Sequence, residues 1–421
     1  MHVSKRAKAL SVGAAALLVL TACGSQDEGS SSGDETTASS EPMKFGYVLP
    51  ETGDLAFLGP PQIEAAKFAI SQINDAGGVL GMDVPDIVSG DEAGDQAIAS
   101  QSADRVLNSG VNVVIGAAAS GMSLAIIDKV TGAGVAQCSG SNTAPTFTDY
   151  SDNGLYFRTA PSDALQGPIL GDVIVGDGHS NVAIVARADD YGKGLADATA
   201  TALEGSGATV ALNESYDPKS TNFDSVVQKV SAAEPDAVVV IAFEEGTQIL
   251  SGLIEAGLTA DKVGLYGSDG LRNTDLGSLV SPDDPSVIDG MKGTAPASAD
   301  NPDFVTSLEE FAPELEQTQF APQVFDCVTI MALAAEQAKS TTAEDFKDVV
   351  NGITKDGEKC DTFADCKKLI DEGTDIDYDG VSGPLDFTDA GEPGSATIEV
   401  YGFSDGGTFE TISTETSQPA Q

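Results

Sequence analysis

Runs of β-branched and apolar residues alternate with helical patterns along almost the whole chain, and that alternation leaves few folds open. The strand-like runs fall at 45–49, 111–115, 181–185, 237–242 and 263–266, and amphipathic repeats of helical period fall at 62–74, 95–108, 191–203, 223–233 and 248–256. Strands separated by helices of this length form βαβ units, whose strands run parallel because the crossover helix returns the chain to the same end of the sheet. Glycines such as Gly77, Gly110, Gly207 and Gly257 stand where these helices should stop, ready for left-handed caps. The series restarts across Phe157-Arg158-Thr159-Ala160-Pro161-Ser162, so the spacing predicts an α/β architecture with two doubly wound parallel-sheet lobes. Ligands of open α/β sheets bind beyond the carboxyl ends of the strands, and two lobes facing each other there enclose a cleft.

The 421 residues are enough for two hydrophobic centres. Charge narrows the function. Lys and Arg number 21 against 66 Asp and Glu, a formal −45, and such a field repels phosphate backbones, so nucleic acid is excluded as a partner. The acids either recruit a cation or simply keep an exposed protein soluble. Histidine is confined to His2 and His179, and His179 stands in the turn Gly176-Asp177-Gly178-His179-Ser180, which reads as a surface turn rather than a zinc or hydrolase site. No GxSxG nucleophile elbow occurs, and Gly192-Lys193-Gly194 lacks the third glycine of a dinucleotide fingerprint. The expectation is a non-enzymatic protein without a cofactor.

Lys5, Arg6 and Lys8 precede an apolar run over 9–20 that is too short to span a bilayer in a mature protein, the layout of a signal segment. Leu20-Thr21-Ala22-Cys23 follows and resembles the bacterial lipobox, whose cysteine is acylated and becomes the new N-terminus. That resemblance implies a signal peptide over 1–22 and a lipidated Cys23; the plainer alternative is a secreted protein with a chance cysteine at its cleavage point. Two or three acyl chains, each contributing about 0.8 kcal/mol per buried CH₂, hold a protein on a membrane without crossing it. Gly, Ser, Thr, Asp and Glu dominate 24–42. Such a composition buries too little apolar surface to fold, so 23–42 reads as a disordered tether, and 416–421 as a disordered tail.

Cys138, Cys327, Cys360 and Cys366 remain. An even set in an exported protein reads as disulfides, with three connectivities open. Cys360-Asp361-Thr362-Phe363-Ala364-Asp365-Cys366 closes so short a loop that local pairing is favoured, contributing about 2 kcal/mol. Cys138 with Cys327 follows by elimination. A metal site is the weaker alternative, because four-thiolate zinc sites show two close CxxC pairs.

Several stretches occur in a telling order: Gly59 to Gly81, containing Ile73-Asn74-Asp75-Ala76-Gly77-Gly78; Val113-Val114-Ile115-Gly116 followed by Ser120; Asn142-Thr143-Ala144-Pro145; Phe157-Arg158-Thr159; and Asp190-Tyr191-Gly192-Lys193-Gly194. Together they resemble the leucine/isoleucine/valine-binding proteins, the type I periplasmic solute-binding components of ABC importers. The resemblance runs from residue 44 to 403. It implies a three-strand hinge with crossings near 158–162, 290–297 and 383–387. Residues 43–160 plus 293–383 would form the first lobe and 161–292 plus 384–415 the second. It also implies a monomeric, lipid-anchored receptor on the extracytoplasmic face of the cell membrane, capturing a branched-chain or related amino acid for permease subunits. Urea or a short-chain amide is the alternative ligand class on the same fold.

By the same resemblance, Ser120, Ser141 and Thr143 hold the α-carboxylate. Hydroxyls and free N–H groups at a strand-to-helix turn form an anion cradle on physical grounds alone, although N-capping would use Ser120 and Thr143 equally well. Asp269, in Tyr266-Gly267-Ser268-Asp269-Gly270, matches the family's acid for the α-ammonium, and Tyr191 matches its aromatic wall. Aspartate is one methylene shorter than the glutamate of many relatives, so Glu244 or Glu245 is a candidate for the missing reach; an exposed loop acid is the alternative for all three. Phe57, Leu58, Phe243 and Phe320 match the side-chain pocket, where burial contributes about 25 cal/mol per Å², and core packing explains Phe243 equally well. Leu58 stands where relatives often have tyrosine, and the first-lobe cysteines of enteric members are missing around Ala93, Gly94 and Ala119. Asp375, Asp377 and Asp379, with Gly380 and Asp386, imitate a calcium loop but lack its terminal glutamate and flanking helices.

Overall fold

A computed structural model describes residues 41–297 and 301–417. The expected signal segment, Cys23, the tether as far as residue 40 and the tail beyond 417 lie outside the described residues. The chain begins with β1 (Phe45–Val48), α1 (Gly59–Asp75), α2 (Gln96–Asn108), β2 (Val113–Gly116), α3 (Ser120–Gly132), β3 (Ala136–Ser139) and β4 (Tyr156–Arg158). These four strands pair in parallel in the order β1-β2-β3-β4. The second lobe follows with α4 (Asp163–Gly176), β5 (Asn181–Arg187), α5 (Asp190–Gly205), β6 (Thr209–Tyr216), α6 (Asp224–Ala233), β7 (Ala237–Ile241), α7 (Gly246–Glu255), β8 (Gly264–Gly267), α8 (Leu276–Val280) and β9 (Lys292–Pro296). The chain returns to the first lobe for α9 (Pro302–Phe311), α10 (Ala321–Ala338), α11 (Ala343–Phe346), β10 (Glu358–Cys360), α12 (Phe363–Asp371), β11 (Ile376–Gly380) and β12 (Gly383–Pro384), then ends in the second as the hairpin β13 (Ala396–Ser404) and β14 (Thr408–Ser417). The second sheet has the order β14-β13-β9-β8-β7-β5-β6, parallel from β9 to β6 with the hairpin antiparallel at one edge.

Local chemistry explains the elements. β7 reads Ala-Val-Val-Val-Ile and is buried at every position, as a strand covered on both faces must be. β6, at the edge, alternates exposed and half-buried residues until Tyr216. Asp95 caps α2 by accepting from the N–H groups of Ala97 and Ile98 at 2.9 and 3.2 Å, and Gly257 closes α7 at φ 86°. In the first lobe α1 and α10 pack on the sheet through Phe68, Ile73, Phe325, Val328 and Leu333. Cys138 of β3 is bonded to Cys327 of α10 with S–S 2.03 Å, and Cys360 to Cys366 with 2.07 Å. Both expected pairings are therefore present.

The lobe boundaries differ from expectation. Residues 293–296, expected to reopen the first lobe, lie in β9 and pair with β8 and β13; Gly293 is needed there because the Tyr401 ring lies where its Cβ would stand. Leu385 and Phe387 are buried in the first-lobe core, so the third crossing falls after them instead of at 383–387. Residues 416 and 417 continue β14 instead of starting a tail. Arg158, at the first crossing, is fully buried and donates from Nε to Glu392 Oε2 at 2.8 Å, and its Nη1 donates to the carbonyl of Ala144 at 2.8 Å. This ion pair ties the first crossing to the third. Asp377 and Asp379 face the Lys359 ammonium at 3.1 and 2.9 Å, and no cluster of metal-holding groups occurs among the described residues. No helix among them is long and apolar enough to cross a membrane.

Candidate functional site

Between the lobes, at the carboxyl ends of the strands, lies a narrow cleft. Leu55, Leu58, Ala118, Ala119, Ser120, Ser141 and Phe320 line it from the first lobe; Tyr191, Phe243, Asp269 and Gly270 line it from the second. Its volume is about 20 Å³, room for about one water molecule, so the jaws stand nearly shut. The same closeness is seen beside the cleft, where a Cβ on Gly194 of α5 would come within 2.5 Å of the Pro145 ring of the first lobe.

The first-lobe wall is built from neutral donors. Ser120 begins α3; the N–H groups of Met122 and Ser123 bond the Ala119 carbonyl at 2.9 and 3.0 Å, so the helix's spare donors are those of Ser120 and Gly121. Ala119 is the capping position and makes no side-chain cap bond, so Ser120 is not occupied as an N-cap. Ser141 Oγ lies 3.0 Å from Gln62 Oε1 and 3.2 Å from the Ala118 carbonyl. Beneath this wall the buried Glu92 accepts from the N–H groups of Ala118 and Ala119 at 2.6 and 3.1 Å, fixing the turn that presents Ser120. Burial pushes the Glu92 carboxyl up to about 8 although both N–H bonds favour its charged form.

The second-lobe wall is acidic and aromatic. Asp269 is 5% exposed, and its Oδ1 accepts from Tyr191 Oη at 2.8 Å and Gln166 Nε2 at 3.1 Å. Burial raises its carboxyl to about 6 against those bonds. Asp163, the first residue of α4, is fully buried, and neither of its carboxylate oxygens has a hydrogen-bond partner; the Thr143 hydroxyl lies alongside without normal bonding geometry. Burial, and next the charge of Asp269, hold the Asp163 carboxyl well above its ordinary range. Tyr191 stacks on Phe243 with centroids 5.3 Å apart, and the Arg187 guanidinium covers the other side of Phe243 at 3.4 Å. Gln319 of the first lobe donates to the Asp269 carbonyl at 3.0 Å, linking the two walls directly.

A family model described as periplasmic binding protein matches residues 42–407. The chain belongs to the periplasmic binding protein family. Its relatives include Leu/Ile/Val-binding protein homolog 3 of Brucella melitensis, 24% identical over 86% of this chain and 92% of that protein. They also include the leucine-, isoleucine-, valine-, threonine-, and alanine-binding protein of Pseudomonas aeruginosa, 27% identical over 74% of this chain and 83% of that one. Among solved structures, the leucine binding protein LivK of Thermotoga maritima aligns with a TM-score of 0.74 at 19% identity, covering 90% of this chain and 99% of that chain. LivJ of Streptococcus pneumoniae, in complex with isoleucine, aligns with a TM-score of 0.72 at 23% identity, covering 90% and 100%. These structures share the two-lobed α/β fold.

Within this periplasmic binding protein, Ser120, Ser141, Tyr191, Asp269, Leu58, Phe243 and Phe320 all meet at the cleft. Thr143 stands behind them, buried beside Asp163. Phe57 does not join them; it lines a separate groove of about 280 Å³ with Pro60, Asn273 and Gln317, because neighbouring residues of the short turn at Ala56–Leu58 point in different directions. Glu244 is exposed and away from the cleft, and Glu245, though buried, is committed to Arg187 Nη1 at 3.0 Å and Tyr216 Oη at 2.9 Å. Neither glutamate extends the reach of Asp269. Sequence reasoning missed Asp163, Gln166 and Glu92. The only signal for Asp163 was its place directly after the first crossing, in Pro161-Ser162-Asp163, where a helix start reads as capping.

Proposed function

We propose that this chain is the solute-binding component of an ABC importer and captures a branched-chain or related amino acid between its lobes. The α-carboxylate would lie against Ser120, Ser141, Thr143 and the N-terminus of α3, and the α-ammonium against Asp269, with Asp163 behind it. The side chain would lie against Leu55, Leu58, Phe243 and Phe320. The observation that carries this reading is the division of the cleft: neutral donors on one wall and, on the other, the Asp269 carboxylate with the buried Asp163 behind it, the polarity of a zwitterion from end to end. An amino acid needs more than 20 Å³, so entry requires the jaws to part, and a bound ligand shifts the balance only by its preference for the closed form. The closed form would be what permease subunits recognise, with acylated Cys23 keeping the protein on the extracytoplasmic face of the membrane and no turnover of the ligand.

Calorimetric titration with the standard amino acids, urea and short amides tests the proposal. Saturable binding of leucine, isoleucine or valine is expected. The small cavity is the observation that favours urea or a short amide as the second reading, and binding confined to those compounds would overturn the first. Acyl labelling in cells that survives Cys23→Ala would remove the anchor.

A further inference from the structure

We propose that Asp163 and Asp269 share one proton while the cleft is unliganded and that an arriving ligand ammonium displaces it, so that capture of a zwitterion releases a proton to solvent. The inference rests on the zwitterion reading above. Its basis is a cluster of groups. Asp269 lines the cleft; Asp163 is fully buried behind it, one turn of α4 before the Gln166 whose Nε2 bonds Asp269 Oδ1 at 3.1 Å, and neither carboxylate has an ion-pair partner among the described residues. The charged and titratable groups around them offer no compensating cation. From α5, Tyr191 donates to Asp269; from β13, Tyr401 stands near Asp269 with its hydroxyl bonded to the Ser268 carbonyl at 2.8 Å. From β4, Arg158 faces Asp163, but its guanidinium is engaged by Glu392; Arg272, beyond Tyr401, is engaged by Glu399.

Hydrogen bonding divides the pair. Asp269 receives two donors, Tyr191 Oη and Gln166 Nε2, which favour the anion. Asp163 has only the Thr143 hydroxyl alongside it, out of normal bonding geometry, and a buried carboxyl so poorly served by donors keeps its proton. Burial raises both groups, in the direction this division requires. An ammonium bound at Asp269 supplies N–H donors to that carboxylate and a positive charge to the pair, and the proton of Asp163 then leaves as hydronium or on buffer. A neutral amide brings no such charge, so the same site would hold it with the proton in place. The pair therefore selects for a cationic head and makes its capture pH-dependent.

Two measurements on the full-length protein test this. In the ligand-free state at pH 7, the infrared difference between the parent and Asp163→Asn should contain a protonated-carboxyl band, over and above the one that buried Glu92 gives to both; absence of that difference overturns the proposal. Calorimetry with leucine in buffers of different ionisation enthalpy should then give about one proton released per ligand, and affinity should fall about tenfold per pH unit on the acid side. Asp163→Asn should abolish the buffer dependence and flatten the pH profile while leaving measurable binding. Tight leucine binding with no proton exchange overturns the proposal. A protonated band together with no amino-acid binding would leave the shared proton standing and remove the functional reading instead.

Discussion

The two walls of the cleft are made by opposite means. On the first-lobe side, Ser141 meets Gln62, Glu92 takes up the N–H groups of the turn, and the Cys138–Cys327 bond fastens β3 to α10. On the second-lobe side, the Asp163 carboxylate has no normally formed hydrogen bond and Gln166 Oε1 is unpartnered; Gln319 Oε1 of the first lobe is unpartnered as well but carries no charge. Buried polar groups are normally satisfied, so an unsatisfied one is a reserve of binding energy that a ligand of the right charge can release. The contrast suggests a fixed anvil that orients one end of the ligand and an electrostatically strained jaw that recognises the other.

The largest expected effect falls on the anvil. Replacing Cys138 and Cys327 together by alanine should cost about 2–5 kcal/mol and make the first lobe unfold before the second in denaturant. Coincident transitions by two probes would erase the mechanical difference between the lobes. Next, Asp269→Ala should weaken amino-acid binding by about 1.5–3 kcal/mol, the value of a hydrogen bond to a charged group; calorimetry that finds urea or amide binding unchanged in the same variant would sharpen the contrast. Ser120→Ala removes a neutral donor and should cost only about 0.5–1.5 kcal/mol of affinity. If it costs more than Asp269→Ala, the jaw is not the principal recognition element.

The smallest effect concerns stability. An acid whose folded value lies above its unfolded value favours folding when protonated, and that contribution is lost as pH rises through the folded value. Asp163 is raised, so Asp163→Asn should melt higher than the parent at pH 8, by roughly 2 °C for about 1 kcal/mol, with the gap closing toward pH 4. A melting difference independent of pH would show that the carboxyl is not strained.

The fold was legible because its strongest signals are local. The apolar run of β7, the helix-ending glycines and the turn between β4 and α4 each announce themselves within a few residues. The third crossing was not, because Leu385 and Phe387 alternate with polar neighbours in a way that suits either lobe, and only packing assigns them to the first. In the site, Ser120, Tyr191 and Asp269 were reached through the family resemblance, each standing just after a strand. Asp163 was not, since a helix-initiating aspartate looks the same whether it serves its own helix or faces a second carboxylate. Phe57 and Leu58 are adjacent in sequence yet lie on different surfaces, a distinction that depends on the geometry of one short turn.

The contact between Gly194 and Pro145 bears on how finely such a protein can discriminate. With backbone meeting a proline ring, no compressible side chain lies between the lobes at that point, and their travel ends at a hard stop. Ligand size is then gauged against a gap of fixed height. On the reading proposed above, a molecule slightly too tall would keep the lobes from reaching that stop.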